Sequence, residues 1–495
     1  MAAILLNWSL QAATPADTTD EAQRPFENML NHPQEHWYSL TLMNTKIGYM
    51  HTSTEGTEYQ GKQVARNKTD IVMNFKALGA DITVEITRVE WIGPDLMPLH
   101  FLSTSNESGL KQIEGRIVDG IAHVTTTLNG EITESEIPVP PDTISEYTGV
   151  ASLLTQKSLK IGDKRTFHMF IFDLLKPVKT DIEVLREETL TYQSEEKQVY
   201  VLEQTLDVMN GITAKLWIDA NGVNYRTEVP LMGLSMVTLK TDKETALGGI
   251  EEVDIVLQTR ILPSGKFPTP KAKYLEAEVR LSTGNIAEVV MSTPRQKLAV
   301  NYNGIGVPNP SYKLSIRVPS IVAEDCLNLP IQNVEDEFLT ASAYIQADHP
   351  DIQAKAAEIL EDEVNSWDAA EKLCRWVYTA IEEKEMSGGF ASSLTALQSL
   401  SGDCTEHTVL FIALARAAGI PARICSGIVF AKDAFYYHFW PEVYVGQWVQ
   451  MDPTLDQVIA DATHIQLGGS TLETDNLMEY AADVFQTLNQ LEITF

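Results

Sequence analysis

Cys404 stands at the predicted start of a buried helix, where the backbone can activate a thiol. Gly402 permits a tight turn, and Asp403 followed three residues later by Glu406 is typical of a helix capping box. The free N–H groups and positive dipole end of a helix start favour a thiolate and can help to hold a developing oxyanion. The two carboxylates oppose this, because their negative charge raises the pKa of the cysteine. A nearby imidazolium must therefore supply much of the activation.

A histidine and an aspartate later in the chain could complete a catalytic set. His438 lies on a predicted strand that ends at Gly446, and Asp452 closes the next strand. His438 is the candidate general base, and Asp452 is the carboxylate that would fix its tautomer. A two-residue loop at Gly446-Gln447 would put these side chains on opposite faces, whereas a three-residue connection or a bulge puts them on the same face. The assignment requires the second case.

His407 is a rival for the role of base. It lies one helical turn after Cys404 and could face it. A base on the nucleophile's own helix is, however, poorly placed for a substrate that must fit between the two groups. Sequence reasoning therefore favours His438.

Other residues near His438 have both structural and functional interpretations. Trp440 and Trp448 could line a substrate groove or could simply pack the hairpin, since aromatic side chains serve both purposes. Glu442 shares the predicted face of His438, and we interpret it as a solvated carboxylate or as the partner of Arg423.

The remaining cysteines are predicted to be structural. Four in all are too few for a disulfide scaffold, and no Cys-x-x-Cys spacing occurs. Cys374 falls in the apolar stripe of a predicted helix and Cys425 in a strand interior, so both are expected in the core. No His-Glu-x-x-His or similar spacing suggests a metal centre, and neither a metal nor another cofactor is expected.

Three blocks of sequence follow one another over roughly residues 340–460: GDCTEH with the helix end RAAGIPAR, then HFWPEVY, then Trp448 with the later Asp-Pro-Thr. Together these blocks resemble the bacterial transglutaminase-like superfamily. The resemblance implies a papain-like core, in which a cysteine-bearing helix packs on an antiparallel sheet that supplies histidine and aspartate. It implies Cys404 as nucleophile, His438 as base and acid, and Asp452 as orienting group. Phe439 departs from the small residue usual after the histidine, which would narrow the site.

The elements that must position these residues predict an α+β protein. Alternating, β-branched segments predict a large antiparallel β-rich domain at 33–262, which resembles the N-terminal regions of some exported members of the family. A Pro-rich break leads to a small β-rich segment at 271–335, and helical periodicity then marks a catalytic domain at 336–495. The first predicted helix face there consists of Ile352, Ala356, Ile359, Leu360 and Val364.

Composition and charge restrict the possible partners. The 495 residues carry 68 Asp and Glu against 37 Lys and Arg, a formal net charge of −31. Such a surface repels phosphate backbones, so nucleic acid is not an expected partner. No apolar run long enough for a membrane span follows the N-terminus. Residues 1–20 have the apolar core and small-residue end of a secretion signal, without its usual basic start, and so favour export to the periplasm or exterior over a cytoplasmic location.

Two functions are consistent with the sequence. The first is cysteine-dependent acyl transfer on a glutamine- or peptide-type amide of a protein or peptide substrate, through a thioester that an amine or water resolves. The second is a non-catalytic exported binding or envelope-scaffold protein that retains the fold. The sequence does not distinguish transferase from hydrolase, nor does it indicate an oligomeric state.

Overall fold

The structure is a computed structural model that divides the chain into two compact units. The first unit consists of Met1–Lys76 and Asp81–Val253, and the second of Asp254–Phe495 with the short segment Ala77–Ala80. The structure describes residues 24–77, 80–106, 110–128, 131–148, 159–172, 174–207, 212–220, 222–231, 234–269, 271–300, 309–382, 391–472 and 487–495. The predicted export segment at 1–20 lies outside these residues.

The described part of the first unit is built on one mostly antiparallel sheet of fifteen strands. Strands β1 to β8 follow one another as neighbours, β9 to β15 do the same, and β15 joins the two series by pairing with β1. The strands are β1 (Gln34–Leu42), β2 (Thr45–Tyr59), β3 (Lys62–Ala77), β4 (Ala80–Ile92), β5 (Pro98–Ser105), β6 (Lys111–Val118), β7 (Ile121–Leu128), β8 (Glu131–Pro138), β9 (Thr143–Ser145), β10 (Lys164–Ile171), β11 (Lys176–Tyr192), β12 (Glu195–Leu206), β13 (Ile212–Ile218), β14 (Asn224–Leu231) and β15 (Leu234–Thr241). Helices α1 (Arg24–Asn31) and α2 (Lys243–Leu247) accompany them.

The alternating sequence of these strands puts every second side chain inside. In β6, Ile113 and Ile117 are buried while Gln112, Glu114 and Arg116 are exposed. The two isoleucines belong to one buried cluster with the rings of Phe101, Phe170 and Phe172. This period of two is the pattern from which the sheet is predicted.

The interior of the first unit also contains polar groups. Glu90 on β4 is 4% exposed, and its carboxylate accepts hydrogen bonds from the Ser145 hydroxyl and, at 3.3 Å, from the Asn67 amide. Burial raises the pKa of Glu90 to about 7, although both hydrogen bonds act against the shift. Arg88 and Glu146 form a buried ion pair at 3.6 Å.

The second unit contains two four-stranded antiparallel sheets and the longer helices among the described residues. One sheet has the order β17-β18-β16-β23, and the other has the order β21-β20-β19-β22. The strands are β16 (Tyr274–Leu281), β17 (Gln296–Val300), β18 (Tyr312–Arg317), β19 (Ala422–Ala431), β20 (Ala434–Tyr444), β21 (Trp448–Gln450), β22 (Ile465–Ser470) and β23 (Leu491–Thr494). The helices are α3 (Ile255–Thr259), α4 (Pro350–Leu360), α5 (Ser366–Ala380), α6 (Ser393–Ser399) and α7 (Cys404–Ala417).

Helix α7 is the centre of the helical core. From Thr405 to Arg416 all of its residues are buried, and α4, α5 and α6 pack against it. A helix that is apolar on nearly all sides must be covered by other elements, which explains the three helices and the sheet around it. The residues Ile352, Ala356 and Leu360 of the predicted apolar face of α4 are buried. Val364 is 60% exposed, because the helix ends at Leu360.

The prediction of an α+β protein with a large antiparallel sheet before a helix-containing C-terminal region is confirmed. Strand β23 near the C-terminus pairs with β16, so the segments 271–335 and 336–495 both lie in the second unit. Among the helices of the described residues, none is long and apolar enough to cross a membrane.

Candidate active site

The start of α7 fixes the position of Cys404. Asp403 is the N-cap: its side chain accepts a hydrogen bond from the Thr405 N–H at 2.8 Å, while Glu406 accepts one from the Asp403 N–H at 2.8 Å. Gly402 has φ +143°, and a Cβ there would lie 2.4 Å from the Glu406 side chain. The capping box therefore requires a glycine at 402, and it places Cys404 as the first residue of the helix.

Strands β20 and β21 bring His438 and Asp452 to the same face. Tyr444 pairs with Trp448 and Glu442 with Gln450, so three residues connect the two strands. His438 Nε2 lies 2.8 Å from Asp452 Oδ2. This is the same-face case that the assignment of the two residues requires.

The sulfur of Cys404 lies beside the peptide bond that follows His438. The backbone N–H of Phe439 is within hydrogen-bonding reach of the sulfur. One turn along α7, the Thr408 hydroxyl donates to the Phe439 carbonyl at 3.2 Å. These two contacts fasten the start of α7 to β20 next to His438.

Sequence reasoning missed His464, which binds the same carboxylate oxygen as His438. Its Nε2 lies 3.0 Å from Asp452 Oδ2, and the side chains of His464 and Asp452 are fully buried. The other oxygen of Asp452 accepts N–H bonds from Thr454 at 2.8 Å and Leu455 at 3.2 Å. The sequence offered one signal, a histidine directly before a strand, but the contact depends on β22 pairing with β19.

Gly427 allows the layers behind the site to approach closely. It pairs with His438 on β20, and a Cβ at this position would lie 2.1 Å from the Ile465 carbonyl oxygen and 2.8 Å from the Trp440 ring. Trp440 is fully buried, with its ring 5.9 Å from that of His438 and 5.1 Å from that of His464. It packs behind the two imidazoles.

Trp448 is half-buried in a separate aromatic cluster. The guanidinium of Arg423 lies 4.2 Å from its ring centroid, and Phe338 contacts it edge-on at 5.0 Å. Arg423 also pairs with Glu442 at 2.6 Å, which is one of the two interpretations of Glu442 made from the sequence. The contacts of Trp448 are those of a packed side chain.

The remaining candidate residues lie as follows. His407 is fully buried, and its Nδ1 is 2.6 Å from the Asp403 carbonyl on its own helix. Cys374 and Cys425 are buried free cysteines, as predicted, whereas Cys326 and Cys404 are half-buried.

Burial and the charges near the Cys404 sulfur favour the thiol over the thiolate. Burial, and then the Asp403 and Glu406 charges, raise the pKa of Cys404 well above its usual value, against the effect of the Phe439 N–H. Burial and the charge of Glu406 in turn raise the pKa of Asp403 to about 7. Burial therefore adds to the opposing effect of the two carboxylates that the sequence indicates.

The two imidazoles around Asp452 lower the pKa of its carboxyl group. Burial alone would raise the pKa of Asp452, but the charges and hydrogen bonds of His438 and His464 outweigh it and hold the pKa well below the usual range. Asp452 is therefore a carboxylate throughout the neutral range, able to orient an imidazole. A hydrogen bond from His438 Nε2–H leaves Nδ1 of that ring as the basic nitrogen.

The side chains of His438, Asp452 and His464 are also close enough together to be tested as ligands of one metal ion. Donor atoms of His438, Asp452 and His464 lie within 4.8 Å of one another. Both imidazoles point at a single oxygen at 2.8 and 3.0 Å, which is the spacing of hydrogen bonds, whereas ligand atoms bound about 2.0–2.2 Å from a tetrahedral zinc would lie about 3.3–3.6 Å from one another. The arrangement fits a hydrogen-bonded chain better than a metal centre.

Comparison with known proteins identifies the core around this site. Residues 353–453 match the family model of the transglutaminase-like superfamily, so the second unit contains a transglutaminase-like core. No curated protein sequence is significantly similar to the chain.

Solved structures give weaker similarities. A candidate cysteine protease from Cytophaga hutchinsonii is 19% identical, covers 44% of this chain and 82% of its own, and has a TM-score of 0.30. The periplasmic domain of TgpA from Pseudomonas aeruginosa, bound to ethylmercury, is 14% identical, with coverages of 40% and 89% and a TM-score of 0.24. A beta-barrel-like protein from Brucella abortus is 14% identical, with coverages of 42% and 96% and a TM-score of 0.32. Similarities at this level carry no information about substrate or partners.

Proposed function

We propose that the second unit catalyses cysteine-dependent acyl transfer on glutamine- or peptide-type amides. Cys404 is the nucleophile, His438 the base and acid, and Asp452 the group that orients His438. The observation that carries the proposal is the buried 2.8 Å contact between His438 and Asp452 next to the Cys404 sulfur, within a segment that matches the superfamily.

The reaction proceeds in two steps. His438 Nδ1 accepts the thiol proton, the sulfur attacks the amide carbon, and the C–N bond breaks as the imidazolium protonates the departing nitrogen, leaving a thioester. An amine or water then attacks the thioester carbon, His438 takes its proton, and the sulfur leaves and is reprotonated. An amine gives a new amide, whereas water gives a carboxylate.

The raised pKa of the Cys404 thiol supports His438 as the group that activates it. Because burial and Asp403 raise the pKa of Cys404, little free thiolate exists near neutral pH. Proton transfer to an imidazole held in the correct tautomer removes this obstacle at the moment of attack.

A protein or peptide substrate and an exported location are part of the proposal. The superfamily match supports the substrate class, and the apolar N-terminal sequence supports the location.

The alternative function is a non-catalytic binding or scaffold protein. The raised pKa of Cys404 favours this alternative, because a thiol that stays protonated is a poor nucleophile and is consistent with a purely structural cysteine.

An amine-incorporation assay separates these functions. The protein is incubated with a glutamine-rich protein and a labelled primary amine, and incorporated label, released ammonia and peptide cleavage are measured. We expect one of these products with wild type and with the half-buried control Cys326→Ala, and none with Cys404→Ala. Equal signals from wild type and Cys404→Ala would contradict the proposal.

A further inference from the structure

His464 and Asp461 extend the proposed catalytic set into a longer chain of buried groups. His464 Nε2 contacts Asp452 Oδ2 at 3.0 Å, and its Nδ1 faces the Asp461 carbonyl at 3.3 Å and the Asp461 carboxylate at 3.4 Å. Both nitrogens of this imidazole therefore face oxygen acceptors. A neutral ring has only one N–H, so only the imidazolium can donate in both directions.

Asp461 is firmly held in this position. Its Oδ1 accepts from the Thr463 N–H at 2.8 Å and from the Thr463 hydroxyl at 2.6 Å, and its Oδ2 accepts from Gln457 and the Lys271 N–H at 3.0 Å each. Arg295 donates to the carbonyl of Asp461. These hydrogen bonds fix the Asp461 carboxylate, so it cannot rotate away from His464 Nδ1.

Among the described residues, two carboxylates contact His464 directly, those of Asp452 and Asp461. The ring of His438 lies 6.0 Å away, and the uncharged ring of Trp440 contacts His464 edge-on at 5.1 Å. Beyond these contacts, Arg295 acts through Asp461, and the thiols of Cys374 and Cys404 lie within electrostatic reach of Asp452. Burial alone would lower the pKa of His464, but its hydrogen bonds to the two carboxylates raise it.

We propose that His464 is a positioning residue of this site, which holds Asp452 through the oxygen that binds His438 and offsets the carboxylate charge as a buried imidazolium. The inference rests on the proposed function, because it assigns His464 to the same reaction. Offsetting the charge of Asp452 weakens its attraction for a second proton on His438. Removing the His464 charge by substitution should therefore favour the protonated, non-basic form of His438.

The pH dependence of Cys404 alkylation tests this role. The acid limb of the profile is the pH range over which the alkylation rate rises with pH. In His464→Gln, which keeps a donor toward Asp452 but carries no charge, we expect this limb to move to higher pH by about 1 unit. His464→Leu should move the limb at least as far and should also lower the maximal rate, which Gln largely preserves. His123→Gln, at an exposed site on β7, is the matched control and should leave the limb in place. A loss of alkylation rate at every pH, without a shift of the acid limb, would overturn the inference and leave a structural role for His464.

A second readout does not depend on reactivity. In protein with isotope-labelled histidine, the resonance that disappears in His464→Gln belongs to His464 and should titrate above the ordinary histidine value of about 6.5. A His464 resonance that titrates below that value would overturn the inference even if Cys404 were fully reactive. An unreactive Cys404 beside a charged His464 would instead contradict the proposed function alone.

Discussion

The Cys404 sulfur is subject to opposing electrostatic influences. The Phe439 N–H favours the thiolate, whereas burial, Asp403 and Glu406 favour the thiol and outweigh that hydrogen bond. The pKa of Asp403 is about 7, so this neighbour gains its charge within the working range of most enzymes. Cys404 reactivity should therefore depend on the protonation of Asp403.

Asp403→Asn should make Cys404 more reactive above neutral pH. Asparagine is an equally good N-cap, so the helix start is kept while the charge is removed. At pH 8, where Asp403 is charged, we expect alkylation of Cys404 to be about three- to tenfold faster than in wild type, because the pKa of the thiol falls. At pH 6, where Asp403 is mostly protonated, the two rates should be similar.

The same substitution at another helix start provides the control. Asp242 caps α2 through the Thr245 N–H, and Asp242→Asn should not change the rate at Cys404. A slower rate in Asp403→Asn at pH 8 would show that the carboxylate assists the thiol instead of restraining it.

Strand β22 positions His464, and its close approach to β19 depends on Gly427. In Gly427→Ala, a methyl group would lie 2.1 Å from the Ile465 carbonyl, so β22 must shift or the second unit must lose stability. We expect a loss of about 2 kcal/mol or more in the free energy of unfolding of this unit, from overpacking. Chemical denaturation should show it, together with reduced Cys404 reactivity.

The adjacent residue is the control for this substitution. The buried Ser426 hydroxyl has no hydrogen-bond partner among the residues that the structure describes, so Ser426→Ala should change the unfolding free energy little or even raise it. An equal effect of the two substitutions would contradict the close-packing argument.

Local patterns made part of this arrangement predictable. The capping box around Cys404 depends on residues three positions apart, and the alternation of β20 is visible from His438 to Tyr444. Contacts between distant strands were not predictable, because nothing near His464 indicates that β22 pairs with β19 or which oxygen of Asp452 it binds. The exposure of Val364 was missed for a related reason, since an apolar period does not show where a helix ends.

In the molecule as a whole, the two units have their own cores and their own buried charged groups. In the first unit, Glu90 has a pKa of about 7 against about 4.5 when exposed. The unfolded chain therefore ionises this group at lower pH than the folded chain. Between these two values the folded state binds the extra proton, so the contribution of Glu90 to stability falls as pH rises.

Glu90→Gln should remove this pH dependence. Glutamine resembles the protonated carboxyl group, can keep the contacts to Ser145 and Asn67, and has no charge to desolvate. Relative to wild type, we expect the variant to gain up to about 3 kcal/mol by pH 7 and almost nothing at pH 4, as followed by calorimetry of the full chain. Glu85→Gln on the same strand is the exposed control. A gain of equal size at both pH values would contradict the assignment of the titration to Glu90.

The most direct test of the central claim is the rate at which each cysteine reacts with iodoacetamide near neutral pH, resolved by mass spectrometry. The claim is that Cys404, His438 and Asp452 act as one unit. It predicts that Cys404 reacts about tenfold or more faster than the half-buried Cys326, and that His438→Gln abolishes this advantage. Equal rates at the two thiols, or a fast Cys404 that is indifferent to His438→Gln, would contradict it.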